Sequence, residues 1–346
     1  MRKYTLITLV SMLSVLLSCE KMEPGAIGTE GQICLSVTLN EPATKAGNYI
    51  TDMSHERAVN SVSYYIFNSG GKLEATFNSG SAAALTRSVS TGAKTVWAVV
   101  NIPDSRFSGC TTLSAFEAKE VSFSDMGSSS FPMAGKKSVT VTAGTVSAAV
   151  TVERFVSRLC FAEITNALTG KFSRSSMILK SVFVSNIAGN CKVTGSAPSS
   201  RLWYNKFGRK DGGGQSAIIS SDSDASFARF TFSDLYDEVV THGSTFEDGS
   251  CLYFFPNPAT SDVNGWSSSF SQRYTRIVTA IEIDGETYYY PVNIVGTLRN
   301  HAYTLYLTIT HLGSKDPDTF QFVEVQDVTI TVGGFDEFDD DFEITF

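Results

Sequence analysis

Apolar and polar residues alternate along most of the chain, the pattern of a strand with one buried face. In QICLSVTL the apolar set is Ile33, Leu35, Val37 and Leu39. NSVSYYIF places Val62, Tyr64 and Ile66 on one face and runs into a Gly-Gly turn, NSGGKL. TVWAVVNI places Val96, Ala98, Val100 and Ile102 on one side, and SVTVTAGTVSAAVTV reads as a hairpin turning at Ala143 and Gly144. Further strands are predicted in SMILKSVFV, CLYFFPN, RIVTAIEIDGETYYYPVNI with its Asp-Gly turn, and HAYTLYLTIT. In the last of these Tyr303, Leu305, Leu307 and Ile309 face one way, and Thr304, Thr308 and Thr310 the other. Helical periodicity is confined to LSAFEAKEV and FSDLYDEVV, each long enough for two turns.

The composition agrees with this pattern. Aromatics make up 12% of the chain and charged residues only 18%, with much of the remaining polarity in Ser, Thr and Gly, a mixture that suits pleated sheet. At 346 residues the chain has room for two domains. Short strands separated by Gly, Ser and Asn turns predict an all-β fold, two tandem antiparallel β-sandwich (transthyretin-like) domains with few short helices. The boundary is placed near Thr151 to Arg158, giving sandwiches over residues 32–152 and 153–346. Two Gly/Ser/Asp-rich stretches, 198–226 and 256–272, read as long surface loops carrying Trp203, Tyr204 and Trp266.

Ahead of the sandwiches, an apolar run from Leu6 to Leu17 follows Arg2 and Lys3. It is shorter than the roughly 20 residues a membrane-spanning helix needs, so residues 1–18 read as a signal peptide. Leu16, Leu17 and Ser18 before Cys19 resemble the lipobox of bacterial lipoproteins, which implies that Cys19 is acylated. An ordinary secretory signal is the alternative. Residues 19–31 read as a tether, and lipid would be the sole membrane attachment.

Chemistry-bearing groups change the picture little. A net charge of −8 without a basic cluster excludes nucleic acid as a partner. Cys34, Cys110, Cys160, Cys191 and Cys251 form no close pair. They read as buried thiols, with one or two bridges among the last four as the alternative. Among four histidines, His242 in THGST lacks the strand-elbow-helix context of a nucleophile site. The SDSD and DEFDDDFE clusters lack a calcium-loop ladder, and DGGGQS lacks the lysine of a phosphate loop. Neither an enzyme nor a metal or other cofactor is expected.

Several phrases resemble the fimbrillins, the pilus subunits of the type V system. VERFVSRLCF, residues 152–161, resembles their arginine-rich junction strand. YYYPVNI followed by GTLRNHAYTLYLTITHLGSKDPD resembles their second domain, and VEVQDVTITVGGF their penultimate strand, with Phe335 where tryptophan is usual. FPMAG and WAVVNIP fit the first domain. The resemblance implies a structural and adhesive fimbrial subunit, exported as an outer-membrane lipoprotein and cut by a trypsin-like protease behind its first strand. That strand (Ile33, Leu35, Val37, Leu39) is then displaced, and the C-terminal strand of another subunit fills the groove.

The tail alternates as a donor would, with Phe342, Ile344 and Phe346 on one side and Val328, Ile330 and Val332 repeating the pattern upstream. Burying three such side chains contributes roughly 5 to 8 kcal/mol before ordering costs. Alternatively both tail strands complete their own domain. For the cut, NEPATKAGN offers Lys45 where the family has arginine, and SHERAVN offers Arg57. Uncut, the subunit would keep its lipid and act as an anchor. The competing reading is a monomeric surface lipoprotein that binds glycan or protein through loop aromatics; alternatively Trp203, Tyr204 and Trp266 cover the ends of the sandwich. Partners are thus other fimbrial subunits, self or related, and a host or bacterial surface ligand.

Overall fold

Alternation at period two carries through to the fold, a computed structural model that describes residues 29–40, 54–126, 130–209, 216–220, 232, 235–259, 273–317 and 328–334. Cys19, Lys45, Trp266, Phe342, Ile344 and Phe346 lie outside the described residues. The first part of the chain forms β1 (Glu30–Leu39), β2 (Val62–Asn68), β3 (Leu73–Ser79), β4 (Leu85–Ser90), β5 (Gly92–Val100), α1 (Leu113–Glu117), β6 (Glu120–Ser122), β7 (Met133–Val141) and β8 (Thr145–Arg154). Seven of these strands run in the order β3-β2-β5-β7-β8-β1-β4.

That order folds over on itself at the β7–β8 hairpin. The register predicted for a turn at Ala143 and Gly144 is kept, yet only Met133–Arg154 and Ala134–Glu153 are paired in the ladder. Beyond them β7 stays with β5, and β8 takes β1 as its partner. A side chain at Gly135 would collide with the Thr151 carbonyl at this fold line, which explains the glycine that ends FPMAG. Ile33 and Leu35 from β1, Tyr64 and Ile66 from β2, Val96 and Ala98 from β5, and Ala148 and Val150 from β8 fill the space between the two layers.

The four-stranded layer is buried on its other face as well, contrary to the one-sided reading of TVWAVVNI. Tyr65, Phe67, Trp97 and Val99 all point to that face, and Ile102 joins them. Phe116 covers it from α1, with ring centroids 4.7 Å from Tyr65, 5.5 Å from Trp97 and 4.6 Å from Phe107. The helix has one turn where two were expected. Thr112 caps its start by accepting from the Ala115 amide at 3.3 Å, and it stops because Glu120–Ser122 is drawn into a ladder with the second sandwich.

The second part comprises β9 (Ser157–Asn166), β10 (Met177–Ser185), β11 (Ile187–Ala188), β12 (Asn190–Lys192), β13 (Trp203–Tyr204), β14 (Lys206–Arg209), β15 (Ser216–Ser220), β16 (Val239–Val240), β17 (Thr245–Glu247), β18 (Cys251–Phe254), β19 (Thr275–Ile283), β20 (Glu286–Ile294), β21 (His301–Ile309) and β22 (Val328–Gly334). One layer is β16-β10-β19-β20; the other is β9-β21-β22 with β17 and β18 on the far edge of β9. Asp284 and Gly285 turn β19 into β20 with φ of 51° and 81°, the conformation of a type I′ hairpin. FSDLYDEVV ends in strand β16, which pairs with β10, not in the helix its spacing suggested. Trp203 and Tyr204 pair with β11 and are buried in the core, so they are not exposed loop aromatics.

Cys160 and Cys251 face each other across β9 and β18 and form a disulfide, which corrects the reading of all cysteines as thiols. Cys110 and Cys191 are buried and free. The chain crosses between sandwiches at Phe155 and Val156, and the two are held by the β6–β12 ladder and one continuous apolar cluster. Phe123, for instance, meets Tyr204 at 5.1 Å and Phe255 at 5.0 Å.

Phe116→Ala is expected to cost about 3 to 5 kcal/mol, the loss typical of a large-to-small change at a fully buried aromatic. Denaturant unfolding of the two proteins would measure it, and a change below about 1 kcal/mol would mean that the outer face of β2 and β5 does not depend on α1.

Candidate functional site

β1 occupies an interior position. It is antiparallel to β4 from Glu30–Ser90 to Leu35–Leu85 and parallel to β8 from Gln32–Thr145 to Leu39–Val152. Of the predicted displaced set, Ile33 and Leu35 are fully buried in the sandwich core, and Val37 and Leu39 pack against it half-buried. The parallel partnership departs from the all-antiparallel expectation. Parallel neighbours need a long crossover, and here the whole of residues 40–144 supplies it.

Taking β1 away would open a slot with two unpaired backbone edges, β8 and β4, and an uncovered apolar floor. A slot of that kind is a template for another strand. Ile33 and Leu35 together represent about 3 to 6 kcal/mol of burial, at about 1.5 to 3 kcal/mol per side chain. An incoming strand has to offer the same alternation.

The end of β1 leads into the sandwich junction. The Asn40 amide donates to the Val152 carbonyl at 2.8 Å, and Asn40 Nδ2 donates to Glu153 Oε1 at 2.9 Å. Asn300 Nδ2 donates to the Asn40 carbonyl, while Asn300 Oδ1 accepts from Arg154 Nη1 at 3.0 Å. Arg154 Nε in turn donates to the Glu56 carbonyl at 2.8 Å. The Glu56 carboxylate accepts from Arg158 Nη1 at 2.8 Å and from Tyr253 Oη at 2.7 Å. The side chains of Glu56 and Arg158 are each only 2% exposed. Burial first and the Glu56 charge second push the Tyr253 hydroxyl well above the ordinary tyrosine range, so it stays a donor to Glu56.

Of the two processing candidates, Arg57 lies among the described residues. Arg57 ends a 3-10 turn, Ser54–Arg57, and its side chain is exposed, directly after the buried Glu56. Val328, Ile330 and Val332 lie on β22, which pairs antiparallel with β21 of the same chain from His301–Gly334 to Leu307–Val328.

Sequence reasoning singled out VERFVSRLCF but missed what its arginines do, and it missed Glu56, Tyr253 and Asn300. The available signal was two arginines in an otherwise apolar strand, since arginine is almost never fully buried without a partner. His242 Nε2 contacts the Leu168 carbonyl at 3.0 Å and His301 Nδ1 the Arg299 carbonyl at 2.7 Å. Among the described residues no group of three His, Cys, Asp or Glu side chains is arranged to hold a metal ion. What the arrangement does is hold β1 between β4 and β8.

Residues 33–185 match the family model described as major fimbrial subunit protein (FimA). A fimbrilin (FimA) from Porphyromonas gingivalis W83 has a similar structure, with 14% identity, a TM-score of 0.58, and coverage of 90% of this chain and 99% of that one. A proposed cell adhesion protein from Parabacteroides distasonis gives 12% identity and a TM-score of 0.60, over 90% and 99% of the two chains. The tip fimbrial protein Mfa3 from Porphyromonas gingivalis, truncated at its C-terminus, gives 13% and 0.50, over 88% and 100%. No curated protein sequence matches the chain.

Arg158→Ala would leave the Glu56 carboxylate buried without its ion partner. The expected destabilisation is about 3 to 5 kcal/mol, read as a lowered denaturation midpoint at pH 7. A midpoint equal to that of the unaltered chain would show that the junction does not depend on this pair.

Proposed function

We propose that this chain, whose residues 33–185 match the major fimbrial subunit family model, is a pilus subunit that polymerises by strand exchange through the β1 slot. It is a structural protein of the cell-surface fimbrium, not an enzyme. In this reading residues 1–18 direct export, Cys19 carries lipid and holds the precursor at the outer membrane, and 19–31 is the tether. The sandwiches over 32–152 and 153–346 form the body.

A cut after Lys45 or Arg57 separates β1 from the rest of the chain. Another subunit then supplies Phe342, Ile344 and Phe346 to the floor that Ile33 and Leu35 covered. The observation that carries the proposal is the position of β1. It is an interior strand with fully buried residues, yet one cut in the β1–β2 connection leaves it held by non-covalent contacts alone. Residues 328–334 are paired within their own sheet, so the reading assigns the exchange itself to the residues beyond them. Partners are other fimbrial subunits, self or related, and a host or bacterial surface ligand. The glycan-binding alternative loses support at Trp203 and Tyr204, both of which pack in the core.

Deleting residues 342–346 is expected to abolish polymers while leaving a monomer with an unchanged melting profile; normal fibres from that deletion would refute the donor assignment. Leu35→Ala should destabilise the uncut chain by about 2 to 5 kcal/mol and leave the polymer of cut chains unaffected, because Leu35 is no longer part of it. Equal effects on both forms would mean that β1 stays in place.

A further inference from the structure

The bond between Arg57 and Ala58 is bracketed on both sides by side chains that reach across the fold. On its N-terminal side Glu56, 1% exposed, is tied to Arg158 and Tyr253 of the second sandwich, and its carbonyl to Arg154. The His55 ring sits 5.6 Å from Phe131 and 6.3 Å from Tyr253. On its C-terminal side the work is done by Asn101, which holds a left-handed φ of 59° just past the end of β5. Asn101 Nδ2 donates to the Ala58 carbonyl at 2.7 Å and to the Phe131 carbonyl at 2.9 Å, while Asn101 Oδ1 accepts from the Asn60 amide at 2.9 Å. The Ala58 amide closes the turn onto the His55 carbonyl.

A protease takes its substrate as an extended strand, and cleavage of a folded protein follows the population of locally opened chain. Opening this stretch means lifting a buried carboxylate off its arginine and undoing the Asn101 bridge together. The Arg57 side chain is exposed, but side-chain exposure does not make the peptide bond available.

We propose that Glu56 and Asn101 lock the Arg57–Ala58 bond against trypsin-like proteolysis in the folded chain, so that residues 54–60 stay with the mature subunit and fasten its two sandwiches together. The inference rests on the reading that maturation cuts between β1 and β2, and it removes one of the two basic residues proposed for that cut. Loss of Glu56 or Asn101 turns the shielded bond into a substrate.

The test is digestion of the purified full chain with trypsin under native conditions, with the new N-termini followed by mass spectrometry. The unaltered chain should give no start at Ala58 while it remains folded, and Lys45→Ala should stay uncut between β1 and β2. Glu56→Gln and Asn101→Ala should each release a start at Ala58 at least roughly tenfold faster, as expected when local opening becomes easier. Melting curves verify that each variant is folded at the digestion temperature. If Glu56→Gln does not fold, Tyr253→Phe removes one bond to Glu56 and keeps the ring, and it should give the same product more slowly. A start at Ala58 in the unaltered chain or in Lys45→Ala, or equal rates in all variants, would overturn the lock. Polymers play no part in this readout, so failure of strand exchange and failure of the lock are told apart.

Discussion

A strand in the interior of a sheet must satisfy two rows of backbone hydrogen bonds, and the first sandwich assigns that place to β1. Its amides and carbonyls serve β4 on one edge and β8 on the other, and its alternate side chains form part of the core. The second sandwich repeats the device. There β9 is parallel to β21 on one edge and antiparallel to β17 and β18 on the other. The two differ in how they are held. β9 continues from β8 through two residues and is bonded to β18 by the Cys160–Cys251 disulfide, whereas β1 is joined to the rest only through the connection to β2. Equivalent positions thus hold one strand by covalent links within its own sandwich and the other by the β1–β2 connection.

The junction fastens the two sandwiches to each other. The apolar cluster runs from Tyr65 and Trp97 through Phe123 and Phe155 into the second core, and the β6–β12 ladder lies beside it. None of these contacts involves β1. The buried ion pair of Glu56 and Arg158 adds little net stability relative to an apolar pair, but it is intolerant of misplacement, because either charge alone would be expensive to bury. Its value lies in fixing one geometry between the connection and the second sandwich.

The resemblance to the FimA family and the shape shared with structures at 12 to 14% identity illustrate how little of this fold depends on particular residues. Core positions need only be apolar and of suitable volume. What must be kept is the alternation along β1 and the glycine at the fold line of the β7–β8 hairpin, where the Thr151 carbonyl leaves no room for a side chain.

The sequence by itself determined the strands, because period two is a local property: the alternate residues of β1, β21 and the β19–β20 hairpin with its Asp-Gly turn were all legible along the chain. The partners across space were decided by tertiary structure. The burial of Trp97 and Val99 depends on Phe116 arriving from α1, the Cys160–Cys251 bond on β18 lying opposite β9, and the parallel place of β1 on a crossover of more than half the first sandwich. Glu56 and Arg158 are separated by 102 residues, and a charge reads as surface until its partner is known. Periodicity reports which face of a strand is apolar; only the assembled layers decide what that face meets.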